Sequence, residues 1–135
     1  MSLNWANNNH NYVPAYQMSG IPFQTGSGPT EVDATPVQVK FPYVTRWIQV
    51  RNIGSNIMRL GFTENGVNAA EGKRHFIIIG PNQKTPMFEV KCTSVFIRAN
   101  AQSDPTGFDV MAGYTTIPVS QIFVLTGSND FEGVG

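Results

Sequence analysis

Hydrophobic side chains alternate most clearly between Tyr43 and Thr63. Val44, Arg46, Ile48 and Val50 fall in one phase, and Tyr43, Thr45, Trp47, Gln49 and Arg51 in the other. Further on, Met58, Leu60 and Phe62 alternate with Ile57, Arg59, Gly61 and Thr63. A repeat of two sets alternate side chains on opposite faces of a pleated strand. Between the runs lies Asn52-Ile53-Gly54-Ser55-Asn56, where glycine and asparagine tolerate the positive φ of a tight reversal. The pattern predicts a β-hairpin over 43–63, with further strands laid beside it.

Other runs follow at short, regular spacing. Val37, Val39 and Phe41 alternate up to Pro42, a residue suited to an edge strand or a bend. Glu64-Asn65-Gly66-Val67 offers an Asn-Gly turn inside a polar loop that extends to Lys73. His75 to Ile79 is a β-branched run closed by Gly80-Pro81-Asn82. Phe88, Val90 and Cys92 alternate with Met87, Glu89 and Lys91, and Val95, Ile97 and Ala99 with Phe96 and Arg98. Asp104-Pro105-Thr106-Gly107 fits a type I turn before Phe108, Val110, Ala112 and Tyr114. Pro118 to Leu125 gives a last run.

Eight candidates and no amphipathic helix predict an all-β fold, an eight-stranded antiparallel β-sandwich or a barrel. Eight is the jelly-roll number. A seven-stranded immunoglobulin-like sandwich is the other option, although its Cys…Trp…Cys pattern is absent. The expected division within a single domain is an irregular N-terminal arm over 1–34, a sandwich over 35–125 and a glycine-rich tail over 126–135. The arm sets Trp5, Tyr12, Tyr16 and Phe23 among asparagines, glycines and prolines. It reads either as a disordered tail or as an arm ordered against its own sandwich or a neighbour, since aromatic side chains are costly to leave in water. In the tail, Phe131 and Val134 flanked by glycines permit a close approach to another backbone, the alternative being a frayed end. These six residues (Trp5, Tyr12, Tyr16, Phe23, Phe131 and Val134) are the candidate subunit interface.

Composition sharpens the picture. At 135 residues the chain buries roughly two thirds of its unfolded surface. Charged residues are only 13%, about half the usual share, so Asn, Gln, Ser, Thr and backbone must cover the outside. Such surfaces suit contact with other protein, a trait shared with lectin-like domains. The formal charge is zero, yet all nine basic residues lie between Lys40 and Arg98. Only Glu64, Glu71 and Glu89 oppose them there, and the flanking segments carry the six remaining acids. Two readings follow: cationic edges that discourage aggregation, or opposite-charge matching between neighbouring copies. Nucleic-acid binding is disfavoured by the neutral balance and the lack of a dense basic cluster. The lone Cys92 excludes an intramolecular disulfide and is in phase with Phe88 and Val90, which predicts a buried thiol. The polar start from Met1 to His10 lacks the apolar stretch of a signal peptide, and no run reaches membrane-spanning length. Synthesis in a reducing compartment is expected.

A search for chemistry leaves little. His10 and His75 have no partner at metal or triad spacing. Neither Glu31/Asp33 nor Asp130/Glu132 is placed to converge on a sugar bond. Gly26-Ser27-Gly28-Pro29 lacks the lysine and following helix of a phosphate loop. No metal or cofactor is expected, and no enzyme activity. Tyr43, Trp47 and Arg51 share one face of a strand, which serves cross-strand packing or, alternatively, stacks a carbohydrate.

Three phrases carry a resemblance. Ala15-Tyr16-Gln17-Met18-Ser19-Gly20-Ile21-Pro22-Phe23 resembles a lead-in of the small vertex (penton) capsid proteins of large icosahedral double-stranded DNA viruses, the algal and giant-virus group. Phe41-Pro42-Tyr43-Val44-Thr45-Arg46-Trp47 is similar to the same family, as is Leu125-Thr126-Gly127-Ser128 with Phe131-Glu132-Gly133-Val134-Gly135. The likeness spans residue 12 to the end. It implies a single jelly roll made in the host cytoplasm and a homopentamer at the five-fold vertices of the virion. The implied neighbours are capsomers of a double-jelly-roll major capsid protein, together with minor capsid proteins. The resemblance brings no catalytic motif. Outside it, a carbohydrate-binding module or spike-base protein is the alternative.

Overall fold

The computed structural model describes residues 20–69, 75–122 and Val134. Among these residues seven strands appear in order: β1 Ile21–Gly26, β2 Val37–Lys40, β3 Thr45–Asn52, β4 Met58–Gly61, β5 Phe76–Ile79, β6 Ser94–Ala99 and β7 Phe108–Tyr114. A short helix, α1 (Glu64–Asn68), lies between β4 and β5, and a 3-10 turn spans Val119–Gln121. The strands form two antiparallel sheets, ordered β1-β7-β3 and β2-β6-β4-β5.

One core joins the sheets. Ile48 and Val50 of β3 and Val110 and Ala112 of β7 belong to the same buried cluster as Met58, Leu60, Val95 and Ile97 from the other sheet. The period-two reading holds best in β6, where Val95, Ile97 and Ala99 are buried and their neighbours are half exposed. A smaller cluster of Val44 and Ile117 closes one end, with Ile122 against it.

The hairpin expected over 43–63 does not form. β3 and β4 are consecutive strands separated by a tight turn, but they lie in different sheets. The turn is a corner built on a buried side chain. Asn52 Nδ2 donates to the carbonyls of Asn56 (2.7 Å) and Ile79 (3.1 Å), while its Oδ1 accepts from Gly54 N (2.9 Å) and Thr106 Oγ1 (2.6 Å). Gly54 is obligatory here, because a Cβ would lie 2.2 Å from Thr106 Oγ1 and 2.8 Å from its Cα. Glycine and asparagine thus mark a turn, as expected, but one that sends the chain across the sandwich.

Four other expectations are corrected. β1 lies inside the stretch read as irregular: its glycines and Pro22 hide a strand paired along its whole length with β7. Pro22 is tolerated because β1 is an edge. The run at Met87–Cys92 is not a regular strand. The segment 83–92 runs beside β3 through two isolated bridges, Ile48↔Phe88 and Arg51↔Lys84. Backbone bonds link Ile48 with Phe88 in both directions (2.9 and 2.8 Å), Thr85 N to Val50 O (2.8 Å) and Thr45 N to Cys92 O (3.0 Å). Pro86 and the inserted Thr85 and Thr45 hydroxyls interrupt the ladder. The run beginning at Pro118 opens with the 3-10 turn, and its part from 123 lies outside the described residues. Finally, the polar loop after β4 contains α1, whose N-cap Thr63 accepts from Gly66 N at 2.9 Å.

Faces differ in two places. A register shift between Thr45 and Trp47 lets both Val44 and Thr45 be buried. Arg59, placed outward by the alternation, is buried. Its guanidinium reaches Asn100 Oδ1 (2.9 Å) and the carbonyls of Val67 and Ala69 (3.1 and 3.2 Å), and stacks 4.2 Å over the Phe76 ring.

Candidate interaction surfaces

Of the six residues expected at a subunit interface, Trp5, Tyr12, Tyr16 and Phe131 lie outside the described residues. Phe23 is half-buried in β1 and meets Phe41 edge-to-face at 5.3 Å, so its ring serves the chain's own core. Val134 meets its own chain too: its carbonyl accepts from the Thr63 hydroxyl and lies over Gly66 at the start of α1.

The outward face of β3 was the second candidate. Tyr43 stacks on Tyr114 (5.7 Å, 20° between planes). Trp47 pairs in register with Gly113 of β7, and its indole covers the place where a Cβ at 113 would be. Arg51 pairs with Asp109 directly across the ladder, Nε to Oδ2 at 3.1 Å, with a second bond from the guanidinium. Both partners are about half exposed, and such pairs contribute roughly 0–1 kcal/mol. Beside this pair is an open groove of about 550 Å3 lined by Gln24, Thr25, Gln49, Arg51, Lys84 and Met111. The aromatic rings are occupied by cross-strand packing, and in the groove the amides and charges are joined by Val110 and Met111.

The remaining chemical groups are dispersed. Glu31 Oε2 accepts from Gly28 N (2.9 Å). Asp33 Oδ1 accepts from Thr35 N (2.8 Å), which chiefly holds its carboxyl below the ordinary value, helped by Gln102. His75 is exposed at the start of β5. Cys92 is buried, and desolvation pushes its thiol up to about 11. Its Sγ sits 3.4 Å from Thr45 Oγ1, which also accepts from Cys92 N at 3.0 Å. A thiol so placed is a packing group. Among the described residues no three His, Cys, Asp or Glu side chains gather to hold a metal ion, and no helix is long and apolar enough to cross a membrane.

Sequence reasoning passed over the two lateral flanks of the sandwich. On one, the edge strands β1 and β2 border a groove of about 440 Å3 that includes Thr25, Glu31, Val37, Gln38 and Lys40. On the other, β5 and the segment 83–92 border a groove of about 420 Å3 lined by Leu60, Phe62, Ile77, Phe88 and Val90. β5 has the sequence Phe-Ile-Ile-Ile, with Phe76 and Ile79 buried and Ile77 and Ile78 each 44% exposed. Two adjacent isoleucines on opposite faces of an edge strand leave apolar surface on both sides. The signal was the break in alternation: three isoleucines in a row fit either a fully covered strand or an unfinished surface. No family model, no curated protein and no solved structure matches the chain.

Proposed function

We propose that this chain is a structural shell protein: a single jelly roll of which five copies form the capsomer at the five-fold vertices of an icosahedral virion. The observation that carries the reading is the nesting of strand pairs. β4 pairs with β5, β3 with the segment 83–92, β2 with β6, and β1 with β7. Counting 83–92 as a strand, the chain is one long antiparallel hairpin rolled up, with eight strands in two sheets of four. That arrangement supports a jelly roll over an immunoglobulin-like sandwich. The three phrases that resemble vertex proteins fall on its lead-in, on the entry to β3 and on the tail.

The role is mechanical. Apolar side chains at the β5 edge and a surface poor in charge suit a brick set among other proteins, here the surrounding major and minor capsid proteins. No catalytic step is assigned to it. A particle map averaged with icosahedral symmetry, with this chain carrying a small fused tag, tests the proposal. Five tags around each vertex are expected, and vertices without them overturn it. The carbohydrate-binding alternative draws on the polar groove beside Arg51 and Asp109. It predicts saccharide affinity that is lost on Trp47→Ala or Arg51→Ala, in a chain that forms no ring.

A further inference from the structure

The two lateral flanks differ from one another, and they match in charge. At the end of the sandwich that holds the Asn52 corner, the β1/β2 flank carries exposed Glu31 and the opposite flank carries exposed Lys84, bridged to Arg51. Away from that corner, the β1/β2 flank carries exposed Lys40, paired in register with Ser94, and the opposite flank carries exposed Glu89, next to the bridge of Phe88 to Ile48 in the middle of β3. Lys91, which follows, already has a contact within the chain. Along the strand direction the β1/β2 flank therefore runs from Glu31 to Lys40, and the opposite flank from Lys84 to Glu89 and then Lys91.

We infer that the β1/β2 flank of one copy docks against the β5/83–92 flank of the next, Glu31 facing Lys84 and Lys40 facing Glu89. The occupant is a second copy of this chain. A flank shaped for an unrelated protein has no reason to complement the opposite flank of its own chain. Because the flanks are unlike, the contact is head-to-tail and cannot be two-fold. A rotation axis running along the strands keeps the ends of neighbouring copies level, which lets both charge pairs form at once and lets the series close into a ring. Toward the end away from the Asn52 corner, the groove between Ile77 and Phe88 is covered by the start of β1, where Ile21, in register with Tyr114, is 42% exposed. Opposite charges set register and reject wrong pairings, while the apolar groove supplies the area removed from water. This inference names the contact within the ring and so rests on the vertex reading.

The test is disulfide trapping with Glu31→Cys and Lys84→Cys in one chain, oxidised both as purified protein at high concentration and in particles assembled with the surrounding shell protein. The two positions are on opposite flanks and cannot bridge within a chain, and the native Cys92 is buried. A covalent ladder that ends at five is expected, with each single variant stopping at monomer. No ladder in either preparation overturns the inference. As a second variant that keeps the surface charged, Lys84→Glu should lower ring or vertex occupancy about tenfold, and Glu31→Lys in the same chain should restore most of it. Equal loss in the single and double variants counts against the pairing. The two readings fail separately: tagged vertices without trapping refute this contact alone, and trapping without tagged vertices refutes the vertex role alone.

Discussion

Asn52 shows how one side chain can be legible in kind and opaque in role. It is in phase with Ile48 and Val50 and has no exposure, so a pattern reader expects an apolar residue there. Instead its amide ties the β3–β4 corner to Thr106 and to the end of β5. Asn52→Ala would take the amide from the Gly54 N–H and the Ile79 carbonyl in a buried site and leave the Thr106 hydroxyl and the Asn56 carbonyl only their 3.2 Å bond to each other, at a cost of about 2–4 kcal/mol. Urea midpoints will show it, and a change under 1 kcal/mol would mean that water replaces the amide. Cys92 gives a pH signature. Its thiol ionises near 9.0 when unfolded and near 11 when folded. Between these values the folded chain holds the extra proton, so the thiol's share of stability is whole below pH 9 and drains away as pH rises to 11. The wild type should lose on the order of 2–3 kcal/mol more than Cys92→Ser across that window. Parallel stability curves for the two proteins would contradict this.

At the scale of elements, alternation revealed where strands lie and not what they pair with. Six of the seven strands fall on runs visible in the sequence; β1 does not, because its Gly-Ile-Pro-Phe-Gln-Thr-Gly composition reads as broken chain. The structural reason is crowding. β1 lies so close along β7 that a Cβ on Gly20 would sit 2.5 Å from the Gly113 Cα, and Gly113 on its other side lies under Trp47. Glycine there permits close approach of backbone and ring, a use that composition alone cannot separate from a turn. The candidate surfaces were half legible for a related reason. The aromatic stripe of β3 was plain in the pattern, but its use depended on β7 lying beside it. A Cβ at residue 113 would be 2.3 Å from Trp47 Nε1. Gly113→Ala should therefore push the indole toward solvent, red-shift its emission and destabilise the chain by about 1–3 kcal/mol. The measurement belongs in a Trp5→Phe background, so that Trp47 alone reports. Unchanged emission would mean that the ring is held from elsewhere.

At the scale of the whole molecule, β1 pairs with β7, and every described strand but β5 finds a partner far away in the chain. Such non-local pairing makes folding slow, in the millisecond-to-second range, and among the described residues no strand pairs with the outer edge of β5. It also makes the sheets interdependent, because Ile97 and Leu60 of one belong to the cluster that buries Ile48 and Val110 of the other. Neither sheet has a second layer of its own among the described residues. Ile97→Ala, in the middle of β6 and without exposure, should cost about 2–5 kcal/mol by the cavity it opens. The deciding point is where that loss is seen. Trp47 lies in the opposite sheet, so in the same Trp5→Phe background its fluorescence should report the same shifted urea midpoint as the far-ultraviolet signal of the whole chain. A Trp47 transition that stays in place while the far-ultraviolet curve splits would mean that β1, β7 and β3 stand without the other sheet. Under the proposed vertex role, a brick made of separable halves could not transmit the load of a curved shell from one flank to the other.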